Sequence, residues 1–161
     1  VSANLDTVIT KMNYYIFTTV DADHISNSRK TPAIDIVVAR LNKSVWPIYK
    51  GTKNRDKLTN GDMCLFYIGG YKKTSRHIIA KATIESISQS TQSVDHEDIL
   101  TGVPYKHILL ETVVFFESPI SILSNLQQLS FIPKDSRYWG TTLQGGCRKI
   151  SKNDFEILSR T

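Results

Sequence analysis

Asp62-Met63-Cys64-Leu65-Phe66-Tyr67-Ile68, then Gly69-Gly70, then His77-Ile78-Ile79-Ala80-Lys81-Ala82-Thr83-Ile84-Glu85-Ser86-Ile87-Ser88 is the stretch that decides the fold. The first run is almost wholly apolar and follows the turn signal Asn60-Gly61, so it reads as a strand. Gly69-Gly70 opens a hairpin loop carrying Lys72, Lys73 and Arg76. The second run alternates, with Ile78, Ala80, Ala82 and Ile84 on one face and Lys81, Thr83 and Glu85 on the other. That pattern is a half-buried antiparallel strand. The regular strand–helix alternation of a doubly wound fold is missing.

Working outward, Tyr14-Tyr15-Ile16-Phe17-Thr18-Thr19-Val20 is aromatic and β-branched, a strand buried on both faces. Residues 21–30 read as a loop. Ala33 to Leu41 fits neither a helix nor a strand period cleanly, and Thr31 and Pro32, which look like an N-cap and first helical position, favour a helix. Val45-Trp46-Pro47-Ile48-Tyr49 reads as a short strand or extended segment broken by Pro47. Asn54 to Leu58 predicts a helical turn. Residues 89–106 are loop-like, and His107 to Phe116 predicts a long strand ended by Ser118-Pro119. Ser121 is placed to cap a helix to about Leu129. Residues 133–149 read as a loop. Ser151-Lys152-Asn153-Asp154 resembles a capping box that opens a last helix, with Phe155, Ile157 and Leu158 inward. The result is an α+β domain of some five strands, and antiparallel strands in this number curl readily into a small barrel.

The 161 residues suit one domain spanning 1–161. Such a chain buries roughly 70% of its unfolded surface without staples. Its 40% hydrophobic and 22% charged residues exclude a disordered or disulfide-dense chain. No apolar run reaches the roughly 18 residues of a membrane span, and no signal-peptide pattern precedes the first strand. Cys64 and Cys147 lie far apart with no CxxC, which predicts two free thiols in a cytoplasmic protein and no metal site.

The net charge of +5 is uneven. Residues 40–81 carry ten Lys/Arg against two Asp, and residues 82–120 carry one Lys against six acids. One basic face is expected, a candidate footprint for a polyanion. Catalytic and cofactor motifs are absent: no GxSxG, HExxH, Walker loop or GxGxxG. Asp95-His96-Glu97-Asp98 is the best acid–base cluster, but it reads far more readily as a solvated acidic loop or a helix first turn. Neither a catalytic residue nor a cofactor is therefore expected. Trp46 beside the basic stretch, and Tyr138-Trp139-Gly140 in a polar loop, offer aromatic faces of the kind that hold unpaired bases.

In order, Asn13-Tyr14-Tyr15-Ile16-Phe17, Ser44-Val45-Trp46, Arg55-Asp56-Lys57-Leu58 and Asn60 to Tyr67 resemble segments of the EVE domain. The strand His77 to Ile87, Val103-Pro104-Tyr105-Lys106, Ile122 to Ile132 and Ile150 to Phe155 continue the series. The EVE domain belongs to the PUA-like superfamily and is related to YTH domains. The resemblance implies a PUA-like curled antiparallel β-barrel of about five to six strands with flanking short helices. It also implies a pocket for a flipped, modified base. By analogy with the Gly-Val-Trp segment of YTH relatives, Trp46 forms one wall, although Ser44 stands at the glycine and Pro47 removes a backbone N–H. Thr18 or Thr19 would meet the base edge, and Tyr105, Trp139 or Tyr67 would supply the second wall. Lys50, Lys53, Arg55, Lys57, Lys72, Lys73 and Arg76 are expected on phosphates. The expected partner is DNA or RNA carrying a modified base, with no membrane. Any cleavage would come from a nuclease or other effector chain. Two rival readings are a protein-interaction module using the basic face, and a small-molecule or nucleotide site with weak enzymatic activity at the acid cluster.

Overall fold

The runs Met63–Ile68 and His77–Ser88 pair antiparallel, and four further strands extend them into one sheet. The computed structural model describes residues 12–26, 28–70, 72–73, 75–133 and 135–160, and all side chains among them except those of Ser136 and Tyr138. In chain order the elements are β1 (Tyr14–Thr19), β2 (Ala22–Asp23), β3 (Lys30–Thr31), α1 (Ala33–Asn42), β4 (Val45–Ile48), β5 (Met63–Ile68), β6 (His77–Ser88), β7 (Lys106–Ser121), β8 (Cys147–Ile150) and α2 (Lys152–Leu158). Two 3-10 segments, Leu123–Gln128 and Ser136–Leu143, lie between β7 and β8. The sheet order is β4-β7-β6-β5-β1-β8. Every neighbouring pair is antiparallel except β1–β5, which α1 and β4 make parallel by crossing over between them. Strands β2 and β3 form a separate small hairpin inside the expected 21–30 loop.

Period-2 alternation assigns side chains to two cores. Tyr15 and Phe17 of β1, Cys64, Phe66 and Ile68 of β5, and Trp46 and Ile48 of β4 share one cluster with Ala33, Val37 and Leu41 of α1. Ile16 of β1, Leu65 and Tyr67 of β5, and Phe155, Ile157 and Leu158 of α2 make the other, together with Phe116, Ile122 and Phe131. Strand β1 is therefore buried on both faces, as its composition implied.

Bulges bend the sheet. Phe66 pairs with Ala80 and Tyr67 with Ile78, which leaves Ile79 as the extra residue. Ile79 and Ala80 then enter the first core while Ile78 enters the second. The expected single face of Ile78, Ala80, Ala82 and Ile84 is corrected accordingly. Three register shifts between β6 and β7, one beside Thr112 at φ 51°, add to the curl.

Several boundaries differ from expectation for identifiable reasons. Thr31 belongs to β3, Pro32 takes the N-cap position without a side-chain bond, and Asp21 Oδ1 accepts the Ala33 N–H at 2.8 Å. The cap thus comes from a residue twelve positions away. Ser118-Pro119 does not end β7, because Pro119 falls in the shifted register between Phe115 and Ile120, where no ladder bond is required of it. Ser121 Oγ does accept the Ser124 N–H at 3.2 Å, but the segment winds as a 3-10 helix. The expected loop 133–149 holds the second 3-10 segment and the start of β8. The Ser151–Asp154 capping box forms, with both reciprocal bonds.

The sheet edges β4 and β8 are bridged by the connection after β4. The Lys53 N–H donates to Gly145 O at 3.0 Å, and Asn54 Nδ2 donates to Cys147 O at 3.3 Å. Gly145 has φ +92°, and a Cβ there would meet the Lys53 side chain at 2.7 Å. Glycine is required for this closure.

Candidate nucleic-acid interface

The C-terminal end of β1 gathers the basic loops. The Gly69 N–H donates to Thr19 O at 2.8 Å, which ties the 69–76 loop to that end. The Thr18 N–H donates to Gly146 O at 3.0 Å, and Gly145 holds Lys53. The 50–57 loop is therefore at the same end. Lys50, Lys53, Lys57, Lys72 and Lys73 are exposed, and Arg55 and Arg76 are half-buried. Lys72 is paired with Asp21 at 2.7 Å. That bond, with the Ala33 N–H, holds the Asp21 carboxyl below the usual carboxylate range.

Trp46 is 3% exposed and packs with Phe66 at 4.8 Å and Phe17 at 6.0 Å between ring centroids. The Arg40 guanidinium lies over its ring at 4.9 Å. Arg40 is in turn held by Asp95, whose oxygens accept from Nε at 2.7 Å and from an Nη at 2.6 Å. Both side chains of that pair are buried, and the Tyr49 hydroxyl stands 3.4 Å from Arg40. Burial pushes the Tyr49 phenol above its ordinary pKa. The acid cluster is thus split. Asp95 is buried in this ion pair, while His96 and Asp98 face solvent 3.4 Å apart.

The sheet divides the expected base-pocket residues. Thr19 follows Tyr15 and Phe17 on the Trp46 face of β1, whereas Thr18 follows Ile16 on the opposite face. Both hydroxyls are buried without a hydrogen-bond partner. Tyr67 and Trp139 belong to the second core, across the sheet from Trp46. The Tyr138 side chain lies outside the described residues. Tyr105 is 44% exposed and stands between two cations, 6.0 Å from the Arg55 guanidinium and 5.8 Å from Lys106 Nζ. Burial is the main cause that raises the Tyr15 and Tyr67 phenols to about 12. It does the same to the Cys147 thiol, also to about 12, and lifts Cys64 well above its ordinary value. Both cysteines are free and buried.

Cavities open on the surface among the described residues. One, of about 340 Å³, lies between the 88–94 segment and the β4–β7 pair. His107 lines it and donates from Nδ1 to Ser90 O at 2.7 Å. Another, of about 480 Å³, lies at the seam of the closing loop and β8, lined by Lys53, Asn54, Thr142, Cys147, Arg148 and Lys149. Sequence reasoning missed Arg148, Lys149 and Arg40, and it placed Asp95 only in the acid cluster. The Arg148-Lys149 pair just behind Gly145-Gly146 was the available signal, diluted by a weakly charged surrounding window. Among the described residues, no group of His, Cys, Asp and Glu is arranged to hold a metal ion. Nor, among the described residues, is any helix long and apolar enough to cross a membrane.

A curled six-stranded sheet around an aromatic core, flanked by short helices, is a PUA-like fold, and the chain shares it with solved structures. Human THYN1, solved in complex with 5-methylcytosine-containing DNA, superposes with a TM-score of 0.56 at 12% identity, over 90% of this chain and 94% of that one. The N-terminal domain of McrB from Staphylothermus marinus gives 0.53 at 12%, over 92% and 94%. Protein Atu2648 from Agrobacterium tumefaciens gives 0.52 at 13%, over 91% and 90%. No protein-family profile matches the chain, and no curated protein matches it in sequence.

Proposed function

We propose that the chain, as a single domain over 1–161, is a non-catalytic nucleic-acid-binding module that reads a modified base flipped out of its strand. The observation that carries this reading is the Thr19 hydroxyl, buried and unpartnered on the Trp46 side of β1. A buried polar group without a partner is rare in native structures and calls for an explanation. A base edge is one. The fold shared with a DNA-bound protein and the basic end of the sheet support the same reading. Phosphates are held by Lys50, Lys53, Arg55, Lys57 and the 69–76 loop, and these contacts set orientation. The base leaves its stack at a cost of a few kcal/mol. It lies against Trp46 after Arg40 and Asp95 withdraw from the ring, and stacking contributes roughly 1–3 kcal/mol. Tyr105, exposed between Arg55 and Lys106, stacks a neighbouring base.

Because Trp46 is core-packed, Trp46→Ala costs about 3–5 kcal/mol of stability and does not isolate stacking. Thr19→Val is the cleaner variant. It keeps shape and removes an unsatisfied hydroxyl, so stability is unchanged or slightly higher. Binding to DNA carrying the preferred modified base should fall about tenfold, which corresponds to roughly 1.4 kcal/mol. Thr19→Val protein that binds as tightly as wild type, measured by anisotropy, would remove Thr19 from the site.

A further inference from the structure

We infer that the seam between the closing loop and β8 is a phosphodiester-binding cradle, a site distinct from the base pocket and resting on the nucleic-acid reading above. Three cations, Lys53, Arg148 and Lys149, line one open cavity of about 480 Å³, and no carboxylate lines it. Arg148 Nε is buried and has no hydrogen-bond partner, while its guanidinium carbon sits 5.9 Å from the Phe131 ring. An Nε–H so placed is a donor without an acceptor, and an anion entering the cavity supplies one.

The backbone adds donors. Strand β8 is the sheet edge, and the Thr18 N–H donates to Gly146 O. Residues alternate along an antiparallel ladder, so the amides of Cys147 and Lys149 face away from β1 toward the seam. Asn54 fixes the opposite wall. It sits at φ 61°, a left-handed conformation asparagine tolerates, and its amide clamps Cys147 O. Gly145, at φ +92°, lets Lys53 lie close over the turn, and Gly146, at φ +81°, packs against Thr52. The result is a cationic pocket with fixed walls, joined through Gly146 to the end of β1 that carries Thr18 and Thr19. A strand whose base enters at Thr19 brings a backbone phosphate to this seam.

The test is the salt dependence of binding to a labelled DNA duplex, with and without the preferred modified base. Lys149→Ala, at an exposed position, and Arg148→Gln should each reduce the slope of log K against log salt by about one. Both should weaken modified and unmodified DNA by the same factor. Thr19→Val should leave the slope unchanged and remove only the preference. If the slope falls in Lys149→Ala while no protein prefers any modified base, the cradle stands and base reading fails. An unchanged slope in both variants overturns the cradle. So does saturation of the Cys147 and Lys149 amide shifts by inorganic phosphate that DNA does not displace, since the ligand is then a free phosphate.

Discussion

Arg40 and Asp95 are the residues whose chemistry most exceeds ordinary surface roles. A guanidinium stacked on Trp46 and clamped by a buried carboxylate holds a flat cation against an aromatic face. Removing one partner leaves the other charge buried and uncompensated, a loss of about 3–5 kcal/mol. Asp95→Ala should therefore lower the urea midpoint markedly. The double variant Arg40→Leu/Asp95→Leu should recover most of the loss, because two apolar groups need no partner. A double variant as unstable as Asp95→Ala would show that the pair is not the source of the effect. Asp95 looked like part of a solvated acid cluster because its partner lies 55 residues away, a separation no local pattern encodes. Trp46 beside a basic stretch was legible as an aromatic of interest. Its packing against Phe17 and Phe66 was not, because it depends on the curl of the sheet.

Local chemistry decides some elements by itself. The Ser151–Asp154 box is a four-residue signal, and α2 starts where it says. Its Asp154 does more than cap. It also accepts from the Ser130 N–H at 2.8 Å and Ser130 Oγ at 2.5 Å, so it pins α2 to the chain leaving the first 3-10 segment. Asp154→Ala should cost about 2–4 kcal/mol, a lost cap plus an unsatisfied buried donor. Asp154→Asn, which keeps one acceptor, should cost less. Equal losses measured by thermal unfolding would contradict the double role. The β5–β6 hairpin was equally readable, since period and turn residues agree there. Features fixed from a distance were not: the helix α1 was expected, but its cap was not, and neither was β8. Asp21 caps α1, and Cys147–Ile150 becomes a strand because β1 offers it an edge. Ser118-Pro119 failed as a strand terminator because the register shift in β7 leaves no ladder bond for proline to break.

At the scale of the molecule, a sheet buried on both faces places Tyr15, Tyr67, Cys64 and Cys147 inside it. Burial raises the two phenols and Cys147 to about 12 and Cys64 further above its ordinary value. The folded chain thus holds these protons more tightly than the unfolded one. Stability is fully present below the unfolded values, about 8.5 for a thiol and about 10 for a phenol. It is lost as pH rises toward about 12. Urea midpoints should decline steadily from about pH 9 upward, and a flat profile to pH 11.5 would contradict the two-sided core. Asp21 acts with the opposite sign. Its depressed carboxyl supports the start of α1 above about pH 4 and loses that support in acid.

The gathering of two basic loops at the end of β1, and an unpartnered Thr19 hydroxyl on the face of β1 that carries the Trp46 core, are what the functional account rests on. The direct measurement is binding to short single- and double-stranded DNA and RNA at one fixed salt concentration. The panel is unmodified or carries N6-methyladenine, 5-methylcytosine or 5-hydroxymethylcytosine. The account predicts a preference of about tenfold or more, equivalent to roughly 1.4 kcal/mol, for one modified base, which Thr19→Val removes. Equal, salt-sensitive binding to every member of the panel would contradict it and leave only a basic surface.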